Sequence, residues 1–301
     1  MDRDLLGHLP IVVSVARHRA FTAAATELRM SPSAVSNAVR TVEDRLGIPL
    51  FARTTRSVSL TEAGVRFVAG VEPALTDIGH TVDGLTAERG EVTGLLRIDS
   101  PLFAFEMALP PILAKLAQEH PRLTVEVITG QMHVDIVAQG FDAGIRNRRW
   151  IHQDMVTVRL TGPYKNIIVA SGSYLAARSA PKSIADLHHH NCIGFHHSSS
   201  GAIFDWELID GQKPVVVKTS GTALVTGPME AMSLVLAGVG IAYVAEPLAR
   251  SHLSEGRLKW LLPQTAVEFG GLFLYYPRRA SLAPKLRAFI DVARKALKSF
   301  E

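Results

Sequence analysis

Four polar side chains share one face of a predicted helix, and their chemistry suits base recognition in DNA. The polar set is Ser33, Ser36, Asn37 and Arg40, and the stripe expected to face the core is Val35, Val39, Val42 and Leu46. An asparagine amide can pair bidentately with adenine and an arginine guanidinium with guanine, while serine hydroxyls can bind phosphate oxygens. The face therefore predicts contacts in the major groove of double-stranded DNA. A merely solvated helix face is the alternative.

A second polar cluster, Arg53, Thr54 and Arg56, follows shortly after this helix. It lies in the segment from Leu50 to Leu60, where β-branched and polar residues alternate, and this pattern predicts a two-stranded wing with a basic tip. Residues 1–60 contain eight arginines, no lysine and five acidic residues. That balance favours a surface that faces phosphates.

Short helices are predicted to position these groups. Apolar residues three and four apart indicate one helix along Leu5, Leu9, Val12, Val13 and Ala16, and a second along Phe21, Ala24, Ala25 and Leu28. Ser31 before Pro32 predicts the start of the third helix, because serine caps free amides and proline in the first turn wastes no donor. Gly47 predicts its end.

A longer helix is expected to follow, over residues 61–88. Its apolar residues alternate at spacings of three and four: Val68, Val71, Leu75, Ile78, Val82 and Leu85. This heptad pattern favours self-dimerisation. Packing against the chain's own body is the alternative, since Pro73, Gly79 and Gly84 would weaken an autonomous coiled coil.

A second domain is predicted to begin after the polar, glycine-containing stretch from Glu88 to Gly94. The strand-like runs are 95–98, 123–128, 143–146, 167–170, 241–244 and 272–276, and the helix-like runs are 111–119, 229–237 and 284–298. Their alternation predicts an α/β domain with mainly parallel strands.

The N-terminal pattern resembles a known family. The segment FTAAATELRMSPSAVSNAVRTVEDRLGIPLFARTTRSVSLTEAG is similar to the N-terminal signature of LysR-type transcriptional regulators, and GFDAGIR, LHHHNCI and MEAMSLVLAGVGIAYV extend the likeness towards the C-terminus. Two positions depart from it. Arg29 stands in the turn where many relatives have glycine, and Asn147-Arg148-Arg149-Trp150 follows GFDAGIR where Leu-Gly is usual.

The resemblance implies a fold and a domain order. Residues 1–60 would form a winged helix-turn-helix, 61–88 a dimerisation helix and 89–301 an effector-binding domain of the two-lobed type II periplasmic-binding-protein kind. Lobe I would span about 92–161 and 268–301, and lobe II about 162–267. The implied DNA contacts are Ser31, Ser33, Ser36, Asn37, Arg40, Arg53, Thr54 and Arg56.

A two-lobed α/β domain binds its ligand between the lobes, where strand ends and helix N-termini meet. The expected effector-binding residues are Ser100, Leu102, Phe103, Arg146, Arg148, Phe195, His196 and Thr226. Asp99-Ser100-Pro101 ends a strand directly before a helix, so free amides there favour an anion. A small carboxylate, with an aromatic group as one option, is the expected effector.

Other classes of function are less favoured by the sequence. There is no nucleophile elbow, P-loop, dinucleotide fingerprint or His-Glu zinc motif, so neither an enzyme nor a cofactor is expected. The histidines at 188–190 and 196–197 with Cys192 leave a metal sensor as an alternative, and Cys192 leaves a redox role, although burial in a strand is the main expectation. A small-molecule binding protein and a non-specific architectural DNA binder are further alternatives.

The expected setting follows from the same residues. The start MDRDLLGHLP lacks a basic segment followed by an apolar one, and no transmembrane segment is evident, so a cytoplasmic protein is expected. The expected partners are a second copy, as a homodimer or homotetramer, and an interrupted inverted repeat in promoter DNA. RNA polymerase would join them if the protein activates transcription.

Overall fold

The computed structural model describes residues 3–53, 58–87, 92–130, 135–196, 202–278, 280 and 283–297. The α-helices are α1 (Arg3–His18), α2 (Phe21–Leu28), α3 (Pro32–Leu46), α4 (Glu62–Ala87), α5 (Leu102–Glu119), α6 (Gly172–Ala177), α7 (Pro228–Leu236), α8 (Glu246–Ser254) and α9 (Pro284–Leu297). The β-strands are β1 (Phe51–Arg53), β2 (Val58–Leu60), β3 (Gly94–Ser100), β4 (Leu123–Thr129), β5 (Ala143–Asn147), β6 (Met155–Arg159), β7 (Tyr164–Ser171), β8 (Gly194–Phe195), β9 (Trp206–Asp210), β10 (Lys213–Val217), β11 (Leu224–Val225), β12 (Ile241–Ala245), β13 (Leu258–Leu261), β14 (Val267–Phe269) and β15 (Leu272–Pro277).

The chain divides into two compact units. The first comprises Met1–Gly90 with the short segments Asp135–Phe141 and Leu282–Pro284, and the second comprises the rest of the chain. Each unit has its own buried apolar cluster, which is what an independently packed domain requires.

The first unit contains a three-helix core with a β-hairpin. Val12, Ala24, Val35, Val39 and Val42 are fully buried in it. The third helix begins as its sequence predicts: the Ser31 hydroxyl accepts the Ala34 amide at 3.2 Å, and Pro32 occupies the first turn. Strands β1 and β2 pair antiparallel, which is the wing expected after the helices.

One member of the predicted core stripe of α3 is wrong. The Leu46 side chain is 37% exposed, whereas Ala38 is buried. Leu46 is the last residue of the helix, and the chain turns away immediately afterwards at Gly47, whose φ of 66° suits a residue without a Cβ. Sequence periodicity alone does not show which residues at the end of a helix extend beyond the hydrophobic core.

In the second unit, one sheet forms lobe I. Its strand order is β4-β3-β5-β15-β6, and β3 is parallel to both β4 and β5. Helix α5 begins directly after β3 and continues through Pro110 and Pro111, so the helix-like run predicted from Pro111 is its second half. Leu96, Ile98, Ile145, Leu274 and Phe289 are completely buried in this lobe.

Lobe II is built around β7. Strands β12, β13 and β14 all pair with β7 antiparallel, and apolar clusters pack on the sheet with α7 and α8 on one side and Trp206 and Tyr174 on the other. Because β14 continues to Phe269, lobe II extends two residues past its expected boundary at 267.

The prediction of mainly parallel strands is wrong for the strands described. Between the named strands, parallel pairing is confined to β3 with β4 and β5 and to β8 with β11, and one isolated parallel bridge joins Cys192 to Ile241. The chain crosses from lobe I to lobe II after β6 and returns before β15. As the returning strand of lobe I, β15 is antiparallel to both of its neighbours.

The two crossovers between lobes lie against each other. The Leu160 amide donates to the Leu272 carbonyl at 2.8 Å, and the Leu272 amide donates to the Thr161 hydroxyl at 2.9 Å. Gly271 makes this approach possible, because its φ is 95° and a Cβ there would meet the Thr161 carbonyl oxygen at 2.5 Å. The crossovers therefore form a hydrogen-bonded connection between the lobes.

Candidate functional site

The exposed face of α3 presents three of the predicted DNA contacts side by side. Ser33, Asn37 and Arg40 are exposed and lie four and three residues apart, so they share one helix face. Ser36 is half-buried. The Ser31 hydroxyl caps the helix and lies 3.0 Å from the Ser33 hydroxyl, which places two hydroxyl groups at the positive end of the helix dipole.

The turn before this helix has a left-handed backbone. Arg29 has φ 52° and ψ 42°, and its amide donates to carbonyls at the end of α2. The sequence departure at this position therefore falls where glycine would be unstrained and arginine is not.

The wing contacts lie largely outside the described residues. Arg53 is the last residue of β1, with only its backbone described, while Thr54 and Arg56 fall in the part of the chain that the structure does not describe. Their assignment stays a prediction.

The second unit contains a cavity of about 290 Å³ between its two lobes. Lobe I contributes Leu102, Phe103 and Trp150 among its apolar walls. Lobe II contributes stacked aromatic pairs: the Phe195 and Phe204 ring centroids are 4.8 Å apart, and those of Tyr164 and Phe269 are 5.6 Å apart. Such walls suit a planar apolar group.

Two helix N-termini reach this cavity. Neither Pro101, before α5, nor Gly227, before α7, gives a side-chain cap to its helix. Glu230 already lies in the first turn of α7, where it accepts a hydrogen bond from the Thr226 hydroxyl at 3.1 Å. The amides at the start of α5 are consequently the better place for an anionic group.

The buried charges of Arg146 and Asp99, next to the cavity, neutralise each other. Arg146 is only 4% exposed, and its Nη2 donates to Asp99 Oδ2 at 2.5 Å while its Nη1 donates to the Ile145 carbonyl at 2.7 Å. Burial raises the pKa of Asp99 above its ordinary value, and the Arg146 guanidinium opposes that rise. Arg146 therefore lines the cavity mainly as a fixed, neutralised group.

Comparison with known proteins decides the family. The model of the bacterial regulatory helix-turn-helix protein of the lysR family matches residues 6–65, and that of the LysR substrate binding domain matches residues 89–298. The chain belongs to the LysR family of transcriptional regulators. Family membership makes this LysR-type protein a DNA-binding transcriptional regulator with an effector-binding domain, and not an enzyme.

Individual relatives cover almost the whole LysR-type chain. It is 36% identical to the uncharacterized HTH-type transcriptional regulator YcaN of Escherichia coli K12, over 93% of this chain and 92% of that protein. It is 32% identical to the HTH-type transcriptional regulator PgrR of the same strain, over 97% of each. The structure of CrgA, a LysR-type regulator from Neisseria meningitidis, matches with a TM-score of 0.62 and 25% identity, over 96% of this chain and 98% of that one.

The fold brings most of the predicted effector residues of this LysR-type regulator to one place. Leu102, Phe103, Arg146, Phe195, His196 and Thr226 all line the cavity. Ser100 and Arg148 do not. Ser100 is fully buried with its hydroxyl 3.1 Å from the Pro101 carbonyl, and Arg148 is exposed, its guanidinium 3.4 Å from the Ile151 carbonyl.

Several residues that line the cavity were not among the expected effector-binding residues. These are chiefly Asn147, Arg149, Trp150, Tyr164, Asn166, Phe204, Tyr243 and Phe269. Arg149 and Trp150 stand in the unusual segment after GFDAGIR, so that segment carried a signal. Tyr164, Asn166, Tyr243 and Phe269 lie on strands far apart in sequence, and the antiparallel pairing of β7 with β12 and β14 brings them together. Phe204 is placed by its amide, which donates to the Phe195 carbonyl at 2.8 Å.

The histidine cluster and Cys192 occupy separate environments. Within the described residues there is no group of three or more His, Cys, Asp or Glu side chains arranged to hold a metal ion. His190 Nδ1 lies 3.2 Å from the Tyr174 hydroxyl, and His197 lies outside the described residues. Cys192 is buried, as expected, and burial raises the pKa of its thiol to about 12.

The described helices include no candidate for a membrane span. None of them is both long and apolar enough to cross a bilayer.

Proposed function

We propose that the effector of this regulator is a small carboxylate with an aromatic ring, bound in the cavity between the two lobes. The observation that carries the proposal is the cavity itself, whose aromatic walls face the N-terminus of α5. A ring would pack against Phe195 and Phe204, and its carboxylate would meet the free amides of α5. The volume of about 290 Å³ is near the lower end of typical ligand pockets, which favours a small molecule.

The proposed DNA contacts are Ser31, Ser33, Ser36, Asn37 and Arg40 on α3, with Arg53, Thr54 and Arg56 from the wing. The exposure of Ser33, Asn37 and Arg40 on one helix face supports this assignment. Arg40 and Asn37 would read base edges, while the hydroxyls and the α3 amides would meet phosphates.

The proposed active form is a homodimer formed through α4, which could pair further into a homotetramer. Ile78, part of the heptad stripe, is 60% exposed. Two paired recognition helices would read an interrupted inverted repeat. If the protein activates transcription, RNA polymerase is the further partner.

Effector binding would regulate the protein by shifting a population of lobe geometries. The crossovers at Leu160 and Leu272 are short and hydrogen-bonded, so a change between the lobes would be a small rigid-body adjustment. An effector that favours one geometry by about 1.4 kcal/mol biases that equilibrium tenfold.

Fluorescence anisotropy tests this function directly. The purified chain is titrated against its own upstream intergenic DNA and against a scrambled duplex, at low and high salt, with and without a panel of aromatic carboxylates. We expect tight binding to the upstream DNA, and we expect at least one carboxylate to change the affinity of that binding. Equal binding to both duplexes would support an architectural role instead, and absent binding to both would favour a small-molecule binding protein.

A further inference from the structure

Arg149 connects the two lobes at the edge of the cavity. It lies in the 3-10 turn Arg148–Trp150 that follows β5 of lobe I, while its partner Glu207 lies on β9 of lobe II. Arg149 Nη1 donates to both carboxylate oxygens of Glu207, at 2.8 and 3.1 Å. One nitrogen of the guanidinium therefore makes the whole ion pair.

Two aromatic rings flank the same guanidinium. Its Cζ lies 4.7 Å from the centre of the Phe269 ring and 5.0 Å from the centre of the Trp150 ring. Both rings also line the cavity. The rings lie against the guanidinium carbon, and the N–H groups, which point outward in the guanidinium plane, are the atoms that can bind another molecule.

Two of those nitrogens have no acceptor within the described part of the chain. Nε and Nη2 of Arg149 donate no hydrogen bond there, and the side chain is 36% exposed. The Nε–Nη2 edge of an arginine matches the two oxygens of a carboxylate. Arg146, in contrast, is buried and already donates from both terminal nitrogens.

We propose that Arg149 is the specificity-determining residue for the effector, which binds the effector's carboxylate through its Nε–Nη2 edge. Glu207 is then a positioning residue, because it holds Nη1 from the opposite lobe and so turns the free edge towards the cavity. This inference rests on the proposed function, since it requires a carboxylate effector in that cavity. It replaces Arg148, which the sequence favoured, with its neighbour.

The test compares matched carboxylates and amides on the full chain. Isothermal titration measures the affinity for benzoate, phenylacetate and salicylate and for the corresponding neutral amides. We expect the wild type to prefer at least one carboxylate over its amide. Arg149→Met should reduce that preference by about 10- to 100-fold, because a charge-assisted bidentate pair is lost.

The adjacent arginine supplies the control. The Arg148 side chain does not line the cavity. Arg148→Met removes the same charge from the adjacent position, so the preference for the carboxylate should stay within about threefold of wild type. Arg149→Lys keeps the charge without the fork and should give an intermediate loss. Binding of upstream DNA by each variant shows that it is folded, and Arg149→Lys carries the test if Arg149→Met does not fold.

The role of Glu207 is tested through Arg149. Glu207→Ala should lower the preference for the carboxylate by about 10-fold, since the freed arginine regains rotamer entropy. Glu207→Gln keeps an oxygen that can accept from Nη1 and should restore most of it. In the Arg149→Met background, Glu207→Ala should have no further effect.

Each result decides a different point. If the wild type binds no carboxylate more tightly than its amide, the carboxylate of the proposed function fails and Arg149 loses its role with it. If the wild type prefers a carboxylate and Arg149→Met keeps that preference, only the assignment of Arg149 is overturned. If Glu207→Ala acts equally in both backgrounds, Glu207 does not work through Arg149.

Discussion

The arginines after β5 differ in whether they can bind a ligand, because their guanidinium groups already make different numbers of hydrogen bonds within the protein. Arg146 is hydrogen-bonded to Asp99 and to a backbone carbonyl inside lobe I, whereas Arg149 donates from one nitrogen and its Nε and Nη2 have no acceptor among the described residues. The sequence segment IRNRRW contains all of these arginines, yet residue type cannot tell them apart. The 3-10 turn at Arg148–Trp150 sets which of them faces the cavity, and that short turn has no periodic signal.

Arg40 on the recognition helix and Arg56 in the wing should respond differently to truncation. Arg40 is exposed on α3, so Arg40→Ala should cost about 1 to 3 kcal/mol of discrimination between cognate and random DNA if the side chain reads a base. Arg56→Ala should weaken binding to both duplexes alike and flatten the salt dependence, as the loss of a phosphate contact does. Anisotropy titrations at several salt concentrations measure both effects.

The contrast between the two variants is what matters in that experiment. Arg250, 70% exposed on α8 of the second unit, provides a matched control as Arg250→Ala, which should alter neither specificity nor the salt slope by much. If both arginine variants lose cognate and random binding equally, the division into base reading and phosphate binding is wrong.

Cys192 should be chemically inert in the folded chain. Burial raises its thiol pKa from 9.0 to about 12, so the reactive thiolate is about 1,000-fold scarcer near neutral pH than in an ordinary cysteine. Iodoacetamide followed by mass spectrometry should label the native protein very slowly and the unfolded protein readily. Rapid labelling of the native chain would revive a redox role for this residue.

Among the elements, the helix-turn-helix was the most predictable from sequence. Its helix starts and stops depend on local chemistry at Ser31, Pro32 and Gly47, and the structure confirms all three. The strand pairings of the second unit were less accessible, because the direction of β15 depends on a crossover rather than on its own residues. Local capping can be read along the chain, while non-local pairing cannot.

The turn before α3 stores backbone strain that can be relieved. Arg29 has a left-handed backbone and an exposed side chain, so Arg29→Gly should stabilise the chain by about 0.5 to 1 kcal/mol. Urea unfolding followed by circular dichroism measures the change. Arg29→Ala keeps a Cβ and should not stabilise. If both variants behave alike, the effect comes from the arginine side chain and not from the backbone.

Glu27 joins two helices of the first unit and makes its stability sensitive to acid. Its carboxylate accepts hydrogen bonds from Ser14 and Arg17 and lies 3.0 Å from His18 Nε2, while Arg17 also donates to the buried Glu72 on α4 at 3.1 Å. Burial pushes the pKa of Glu27 upward, but these partners outweigh it and bring the pKa below its ordinary value of 4.5. The ionised form is therefore favoured in the folded state.

A carboxylate whose pKa is lower in the folded state than in the unfolded state stabilises the fold at any pH above its unfolded-state pKa. That contribution is lost as the pH falls through its folded-state pKa. Glu27→Gln should consequently be less stable than wild type near neutral pH, and the gap should close below about pH 4.5. Glu62→Gln is the control, because its partner Arg66 is 75% exposed and the pair contributes little at any pH. A gap that is independent of pH would mean that Glu27 acts by packing alone.

At the scale of the whole molecule, the family and the two-lobed plan were readable from sequence, but the composition of the cavity was not. Leu102 and Phe103 were predictable because a helix starting after a strand marks a ligand site in this kind of fold. Tyr243 and Phe269 were not, since they reach the cavity only after both have paired with β7. The residues that line a site between two lobes are set by where the chain crosses from one lobe to the other, and local sequence patterns do not reveal those crossings.

Self-association through α4 is the prediction that belongs to the whole assembly. Ile78 is 60% exposed although it occupies a heptad position, so we expect it to be buried against a second copy. Ile78→Asp places a charge in each half of that apolar seam and should weaken dimerisation by about 100-fold. Sedimentation equilibrium at several protein concentrations measures the dissociation constant.

Ala69, exposed on the opposite side of the heptad pattern, supplies the matched control. Ala69→Asp adds the same charge to the same helix outside the seam, so it should leave dimerisation unchanged. DNA binding should follow the oligomeric state: a dimer reads two half-sites at once, and a monomer loses the gain that comes from linking them. If Ile78→Asp stays dimeric, or if both variants dissociate equally, the seam along α4 does not hold two copies together.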